Sequence, residues 1–201
     1  MEKNKKLRLL VTTDCHNSCE MCCNKQFDFD TLPVVDRFDY DEVLITGGEP
    51  LKDGKLTLKT VNTIKSIRDI WELMGNKDGK IYIYTASEYY FGLVKCVQLV
   101  DGIVYTPHNL NELVTLKKFT NYIVKYTVKY NDDSEIHYLE SPLLKKSFRL
   151  CLFPEIKKLM ENTFNDKDFE LLNKVWKFKD IVWIKDCPLP EGEDFRRVAC
   201  L

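Results

Sequence analysis

Residues 7–22 read LRLLVTTDCHNSCEMC, an apolar run followed at once by a loop that carries three cysteines. The run over residues 7–12 predicts a buried β-strand, because it is short, apolar and bounded by polar residues. Cys15, Cys19 and Cys22 then follow with the spacing C-x3-C-x2-C. Three thiolates can ligate three irons of a [4Fe–4S] cluster, whose usual ligand set is four cysteines. The fourth iron would stay open to a substrate or cofactor, as a reactive centre requires.

A second motif follows a second apolar run, residues 42–46 (EVLIT). Its members are Thr46, Gly47, Gly48, Glu49 and Pro50. The glycine pair could form only a tight turn, or it could let the backbone approach a ligand closely, since glycine has no Cβ. Glu49 could support this loop or pair with a cation. The sequence leaves both alternatives open.

The two motifs stand in this order, each directly after a predicted strand, and through them the chain resembles the radical S-adenosylmethionine (SAM) enzyme superfamily. The resemblance covers residues 7–51. It implies that Cys15, Cys19 and Cys22 hold a [4Fe–4S] cluster and that residues 46–50 bind the amino end of SAM. It also implies that one electron from the reduced cluster cleaves SAM into methionine and a 5′-deoxyadenosyl radical. Met21 stands where the family often has an aromatic residue near the adenine, and its thioether can still pack against a ring.

For the cysteine loop, the alternative from another class is a non-catalytic zinc or iron–sulfur binding module. A structural zinc site takes four tetrahedral ligands, and Cys23 or His16 could supply the fourth. The other cysteines have no paired short spacing, so we expect a single cluster. These are Cys23, Cys96, Cys151, Cys187 and Cys200.

Size and charge narrow the class of protein. The length of 201 residues favours one domain, with a core over residues 7–185 and a C-terminal tail over residues 186–201. The 30 basic and 31 acidic residues leave no basic footprint for non-specific nucleic-acid binding. No apolar stretch approaches the ~20 residues of a membrane span, and there is no signal-peptide pattern. We therefore expect a cytoplasmic protein, in which eight cysteines indicate metal or redox chemistry.

Strand and helix patterns alternate along the chain, which predicts an α/β fold with a parallel sheet. Six such units fit 201 residues and match the partial (β/α)6 barrel that the resemblance implies; a full eight-fold barrel typically needs ~250 residues. A turn at residues 131–134 predicts a hairpin with residues 135–139. The predicted strands are residues 7–12, 42–46, 80–85, 102–106, 122–130 and 180–184, and the predicted helices are 56–74, 89–100, 110–119 and 168–177.

In such sheets ligands bind beyond the carboxyl ends of the strands. Thr85 and Ser87 follow the third predicted strand, and His108 follows the fourth, so we expect them near SAM or the substrate. Thr106 and residues 185–187 would lie at the same edge. No catalytic residue is assigned from the sequence.

The function that the resemblance implies is abstraction of a hydrogen atom from a substrate, which could be a small molecule, a nucleotide or a protein. Flavodoxin or ferredoxin would supply the electron. The short length resembles two branches of the superfamily, the activases of glycyl-radical enzymes and the synthases of 7-deazaguanine precursors. The second branch often carries Asp-Thr after the third cysteine, where this chain has Cys23 and Asn24.

Overall fold

The computed structural model describes residues 5–19, 22, 28–126, 128–132, 135–139, 141–182, 184 and 192–199. Within them, seven parallel strands form one open sheet and two more form an antiparallel hairpin. None of the described helices has the length and apolar character needed to cross a bilayer. In chain order the elements are β1 (Lys6–Leu10), β2 (Glu42–Thr46), α1 (Gly54–Met74), β3 (Lys80–Thr85), α2 (Tyr90–Val97), β4 (Gly102–Tyr105), α3 (Leu110–Lys125), β5 (Val128–Asp132), β6 (Glu135–Leu139), β7 (Ser147–Leu152), α4 (Pro154–Thr163), α5 (Asp166–Val175), β8 (Lys177–Asp180) and β9 (Glu193–Arg197).

The sheet order is β8-β7-β4-β3-β2-β1-β9, and every pair in it is parallel. The predicted α/β class with a parallel sheet is therefore confirmed. The sheet has seven strands rather than the six that we predicted. Its first four strands run in sequence order, so the loops after β1, β2, β3 and β4 meet at one edge.

One face of the sheet carries the core. Leu7, Leu9, Val43 and Ile45 alternate along β1 and β2 and are fully buried. They belong to one apolar cluster that also includes Ile64 and other residues of the helices. The intervening residues of each strand point to the opposite face, since side chains alternate along a strand.

The predicted fifth strand over residues 122–130 is wrong in its first half. Residues 122–125 continue α3, and the strand β5 begins only at Val128. Leu116, Phe119 and Ile123 recur at the helical spacing of three to four residues and are fully buried. Burial along this stripe prevails over the local alternation of the sequence. The predicted hairpin is present as β5 and β6, which form their own two-stranded sheet.

Two strands of the sheet lie where the sequence predicted none. β7 falls in a segment for which the sequence predicted no helix or strand. β9 lies inside the predicted tail and pairs with β1 from Lys6 to Leu10, so the core of the domain continues to this strand. The predicted strand over residues 180–184 is also displaced, because β8 ends at Asp180 and residues 181, 182 and 184 are outside any strand.

Candidate functional site

A cavity of about 380 Å³ lies at the carboxyl edge of the sheet, where the loops after β1, β2, β3 and β4 meet. Its wall brings together most of the residues that the sequence predicted for the site. Pro50 and Ser87 do not line it. Met21 lies outside the described residues, as do Cys23, residues 185–187 and Cys200. The predicted residues on the wall are Cys15, Cys19, Cys22, Thr46, Gly47, Gly48, Glu49, Thr85, Thr106 and His108.

The two glycines allow the loop after β2 to lie directly against the cysteine loop. Gly48 N–H donates to Thr12 O and Glu49 N–H donates to Asp14 O, each at 2.7 Å. A Cβ on Gly47 would lie 2.2 Å from Thr12 O, and one on Gly48 would lie 2.1 Å from Asp14 O. Gly47 also has a φ of +137°, which side chains other than glycine rarely adopt. The close approach that requires glycine is thus made to the protein backbone.

Glu49 connects the loop after β2 to the end of β3. Its side chain is buried and accepts hydrogen bonds from Thr85 Oγ1 at 2.5 Å, Ala86 N at 2.7 Å and Leu51 N at 2.9 Å. Burial raises the pKa of this carboxyl, although the three hydrogen bonds favour the ionised form. Of the two roles left open for Glu49, loop support is the one its contacts provide.

Ser87 also has a structural contact, which corrects our expectation that it faces a ligand. It is fully buried, and its Oγ donates to Leu51 O at 2.6 Å. Thr85 donates to Glu49 in the same way. The polar residues at the end of β3 therefore hold the loop after β2 in position.

Glu112, in the first turn of α3, connects the cysteine loop to the loop after β4. Its carboxylate is fully buried and accepts from Asn17 Nδ2 at 2.7 Å and from the backbone N–H of His108. His16 Nε2 lies 3.2 Å from the same carboxylate. Burial opposes its ionisation, but the hydrogen bonds from His108 and Asn17 outweigh burial and lower the pKa of Glu112. The buried Glu112 carboxylate thus holds Asn17 and His108, which both lie next to the cysteines.

His108 stands between this carboxylate and the cavity. Its Nδ1 lies 3.4 Å from Glu112 Oε2, its ring packs 5.9 Å from that of Phe153, and it is hydrogen-bonded to Cys19. Burial lowers its pKa, but the contacts with Cys19 and Glu112 have the larger effect and raise it to about 9. His108 thus lines the cavity, with a cysteine and a carboxylate as its neighbours.

Three thiols on one loop beside an open cavity are a donor set that fits a cluster with one free iron. Among the described residues, the candidate ligands whose atoms all lie within 4.8 Å of one another are His16, Glu88 and Glu112, and the three sulfurs are not such a group. A tetrahedral zinc with Zn–S bonds of about 2.3 Å would bring its sulfurs to about 3.8 Å from one another. The three described sulfurs therefore do not have the spacing of a closed zinc site, and they show no clear cluster-binding arrangement either.

The other described cysteines lie away from the cavity wall. Cys96 is fully buried in α2, and burial raises its pKa to about 12, so its thiol stays protonated. Cys151 is buried in β7 and hydrogen-bonded to Thr106, and burial raises its pKa as well. Neither has the exposed thiolate that a reactive cysteine needs.

The sequence reasoning missed Glu112 and Asn17. The spacing of Asn109 and Glu112 is a helix-start signal, and the structure has that cap, since Asn109 Oδ1 accepts from Glu112 N at 3.0 Å. The Glu112 side chain, however, bonds across the chain to the cysteine loop. Only the fold brings residues 17 and 112 together.

We compared the chain with models of known protein families, with curated proteins and with solved structures, and none of them matches it.

Proposed function

We propose that this chain is a radical SAM enzyme. A [4Fe–4S] cluster on Cys15, Cys19 and Cys22 would cleave SAM reductively, and the resulting 5′-deoxyadenosyl radical would take a hydrogen atom from a substrate. The observation that supports this is the convergence of the two motifs, which lie some twenty-five residues apart in sequence, on one cavity at the carboxyl edge of a parallel sheet. Ligands of α/β sheets bind at this edge.

The chain's own residues would bind, orient and shield the reactants. The hydrogen bonds from Gly48 and Glu49 hold the loop after β2 against the cysteine loop, so that both reach the same cavity. Glu112 holds the cysteine loop in position through its hydrogen bond with Asn17. Phe153 and Ile181 add apolar side chains to the wall of the cavity, where they would limit the access of water to a radical.

The electron would come from a reduced flavodoxin or ferredoxin, as the resemblance to radical SAM enzymes implies. The proposed cluster must exchange electrons with such a partner near the surface. Cys15 is exposed, and Cys19 and Cys22 are half-buried, so the cysteine loop is accessible from outside.

The experiment that tests this proposal is anaerobic reconstitution with iron and sulfide. We expect about four irons and four sulfides per chain and a brown colour. The variant with alanine at Cys15, Cys19 and Cys22 should bind no iron or sulfide. Cys96→Ala, which removes a buried thiol of α2, should keep the full iron and sulfide content. A colourless protein that retains zinc, or a triple variant with a full cluster, would contradict the ligand assignment.

A further inference from the structure

The open face of the sheet is polar, unlike the face covered by the helices. Lys6 and Arg8 of β1, Tyr82 and Tyr84 of β3, and Arg149 of β7 alternate with core residues and lie on this face. All of them except Arg8 line a cavity of about 300 Å³. That volume is at the lower end of the range for small-molecule pockets, so the face would take a small molecule.

Two of the cations on this face are neutralised within the protein. Lys6 Nζ lies 3.0 Å from Glu42 Oε2, and Arg8 Nε lies 2.6 Å from Glu193 Oε2. The Arg8 guanidinium also lies over the Tyr84 ring, 4.8 Å from its centre. These pairs leave Lys6 and Arg8 no net charge to offer a ligand.

Three further cations have no such partner among the residues that the structure describes. Arg149 is paired in register with Lys177 on the neighbouring strand, and Cys151 with Lys179, so the three side chains share a face. The charges of Arg149 and Lys179 both act to lower the pKa of the Cys151 thiol, against the larger opposite effect of burial. Both cations therefore lie close to Cys151. Within the described part of the chain, no carboxylate lies within 4.0 Å of Arg149, Lys177 or Lys179. Counted over the described residues, the edge formed by β7 and β8 therefore has an excess of positive charge.

This cationic patch, Arg149, Lys177 and Lys179, lies close to the cavity that holds the cysteines. Tyr84, Val104 and Arg149 form one lateral row across β3, β4 and β7. Because neighbouring strands are ~4.8 Å apart, the backbones of Tyr84 and Arg149 are about 10 Å apart. Tyr84 lines both cavities. A molecule held at Arg149 would thus extend along the face to the cysteines.

The charge of the patch indicates the chemistry of its ligand. A phosphate ester carries a charge of about −1.5 to −2 at pH 7, which three cations match better than they match the single charge of a carboxylate. The guanidinium fork of Arg149 can donate two parallel hydrogen bonds to phosphate oxygens. Val104 and the Tyr84 ring offer apolar contact for the rest of the molecule.

We propose that the open face binds a small phosphate-bearing substrate, with its phosphate on Arg149, Lys177 and Lys179 and its reacting end beside Tyr84 and the cysteine cavity. This assignment rests on the proposed function, because it names the substrate class of the same site. It places the substrate and the proposed cofactors on two cavities that share one wall residue.

The test is calorimetric titration of the anaerobically reconstituted full chain with three matched probes at one low ionic strength. Phenyl phosphate presents a ring and a phosphate, benzoate replaces the phosphate by a carboxylate, and phenol has no charge. We expect phenyl phosphate to bind, benzoate to bind at least about tenfold more weakly, and phenol not to bind. Arg149→Gln and the pair Lys177→Gln/Lys179→Gln should each weaken phenyl phosphate by about tenfold or more, as loss of a charged hydrogen-bond donor implies.

Lys118→Gln is the matched control, because Lys118 is an exposed cation on α3, outside both cavities. It should change the affinity by less than about twofold, since surface charges at that distance are screened. The assignment is wrong if phenyl phosphate does not bind, if benzoate binds equally well, or if Lys118→Gln weakens binding as much as Arg149→Gln. The iron content of the same samples tests the cluster assignment independently of phosphate binding, so the two proposals can fail separately.

Discussion

The Glu112→Gln substitution tests whether the buried carboxylate of α3 holds the cysteine loop in position. Glutamine has nearly the same shape as glutamate, but it has no charge and it replaces one acceptor oxygen by an NH2 donor. Both oxygens of Glu112 face donors, Asn17 Nδ2 at Oε1 and the His108 N–H at Oε2. Either orientation of the amide therefore places a donor against a donor.

The expected cost follows from those contacts. A hydrogen bond to a charged group contributes roughly 1.5–3 kcal/mol, and a buried donor left without an acceptor costs roughly 1–3 kcal/mol. Because one of the two acceptor sites survives in glutamine, we expect the free energy of unfolding to fall by about 2–3 kcal/mol. The loop that carries Cys15 and Cys19 should also open more often, since Asn17 loses its charged acceptor.

Two assays on the full chain measure these effects. Urea denaturation of the metal-free protein gives the free energy of unfolding, and hydrogen exchange of a peptide that covers residues 15–19 reports loop opening. Glu155→Gln is the matched control, because Glu155 is an exposed glutamate in the first turn of α4. It should cost no more than about 0.5 kcal/mol.

The reasoning is refuted if Glu112→Gln changes stability by as little as Glu155→Gln, or if exchange over residues 15–19 does not increase. A uniform increase in exchange over the whole chain would mean that Glu112 contributes only to global stability. If Glu112 holds the cysteine loop, the faster exchange is concentrated in residues 15–19.

Three further predictions concern the loops and the remaining thiols. Gly48→Ala places a Cβ 2.1 Å from Asp14 O and should lower the free energy of unfolding, measured by urea denaturation, by about 1–3 kcal/mol. Gly54→Ala is the control and should leave it unchanged, because Gly54 has only ordinary contacts at the start of α1. Equal effects of the two substitutions would contradict the close approach at Gly48. Glu49→Gln should cost about 1–3 kcal/mol in the same assay, because a buried donor loses its acceptor, and no measurable change would show that the three hydrogen bonds are unimportant. Cys151→Ala should leave about four irons per chain after reconstitution, and a fall to half of an initial eight would reveal an auxiliary cluster.

The strands of the central sheet were the most predictable part of the fold. β2 and β3 have the bounds that the sequence predicts, and β1 and β4 differ by one or two residues. These strands are apolar runs closed by turn or loop residues, so local composition is enough to identify them. The predicted hairpin of β5 and β6 follows from its turn residues in the same way.

The edges of the sheet were less predictable, because their strands are only partly buried. β8 is exposed at every position, and β9 is only partly buried throughout, so neither has the apolar pattern that marks a strand. Pairing with β7 and β1 makes them strands, and pairing partners are not visible in the sequence. The first half of the predicted fifth strand failed for a related reason, since burial of Phe119 and Ile123 on one face extends α3.

For the site, the sequence predicted which residues meet but not which contacts they make. The cysteines, the glycine pair and His108 do line one cavity, as their positions after parallel strands imply. The contacts of Glu49 with Thr85 and of Glu112 with Asn17 join distant parts of the chain. Such contacts depend on side-chain positions that only the folded sheet determines.

The proposed activity is tested most directly by product formation from SAM by the reduced protein. The anaerobically reconstituted chain, given SAM and a strong reductant, should release 5′-deoxyadenosine and methionine in equal amounts, even slowly and without substrate. The variant with alanine at Cys15, Cys19 and Cys22 should release neither. A protein that carries about four irons per chain and binds SAM, yet forms no 5′-deoxyadenosine, would contradict the account.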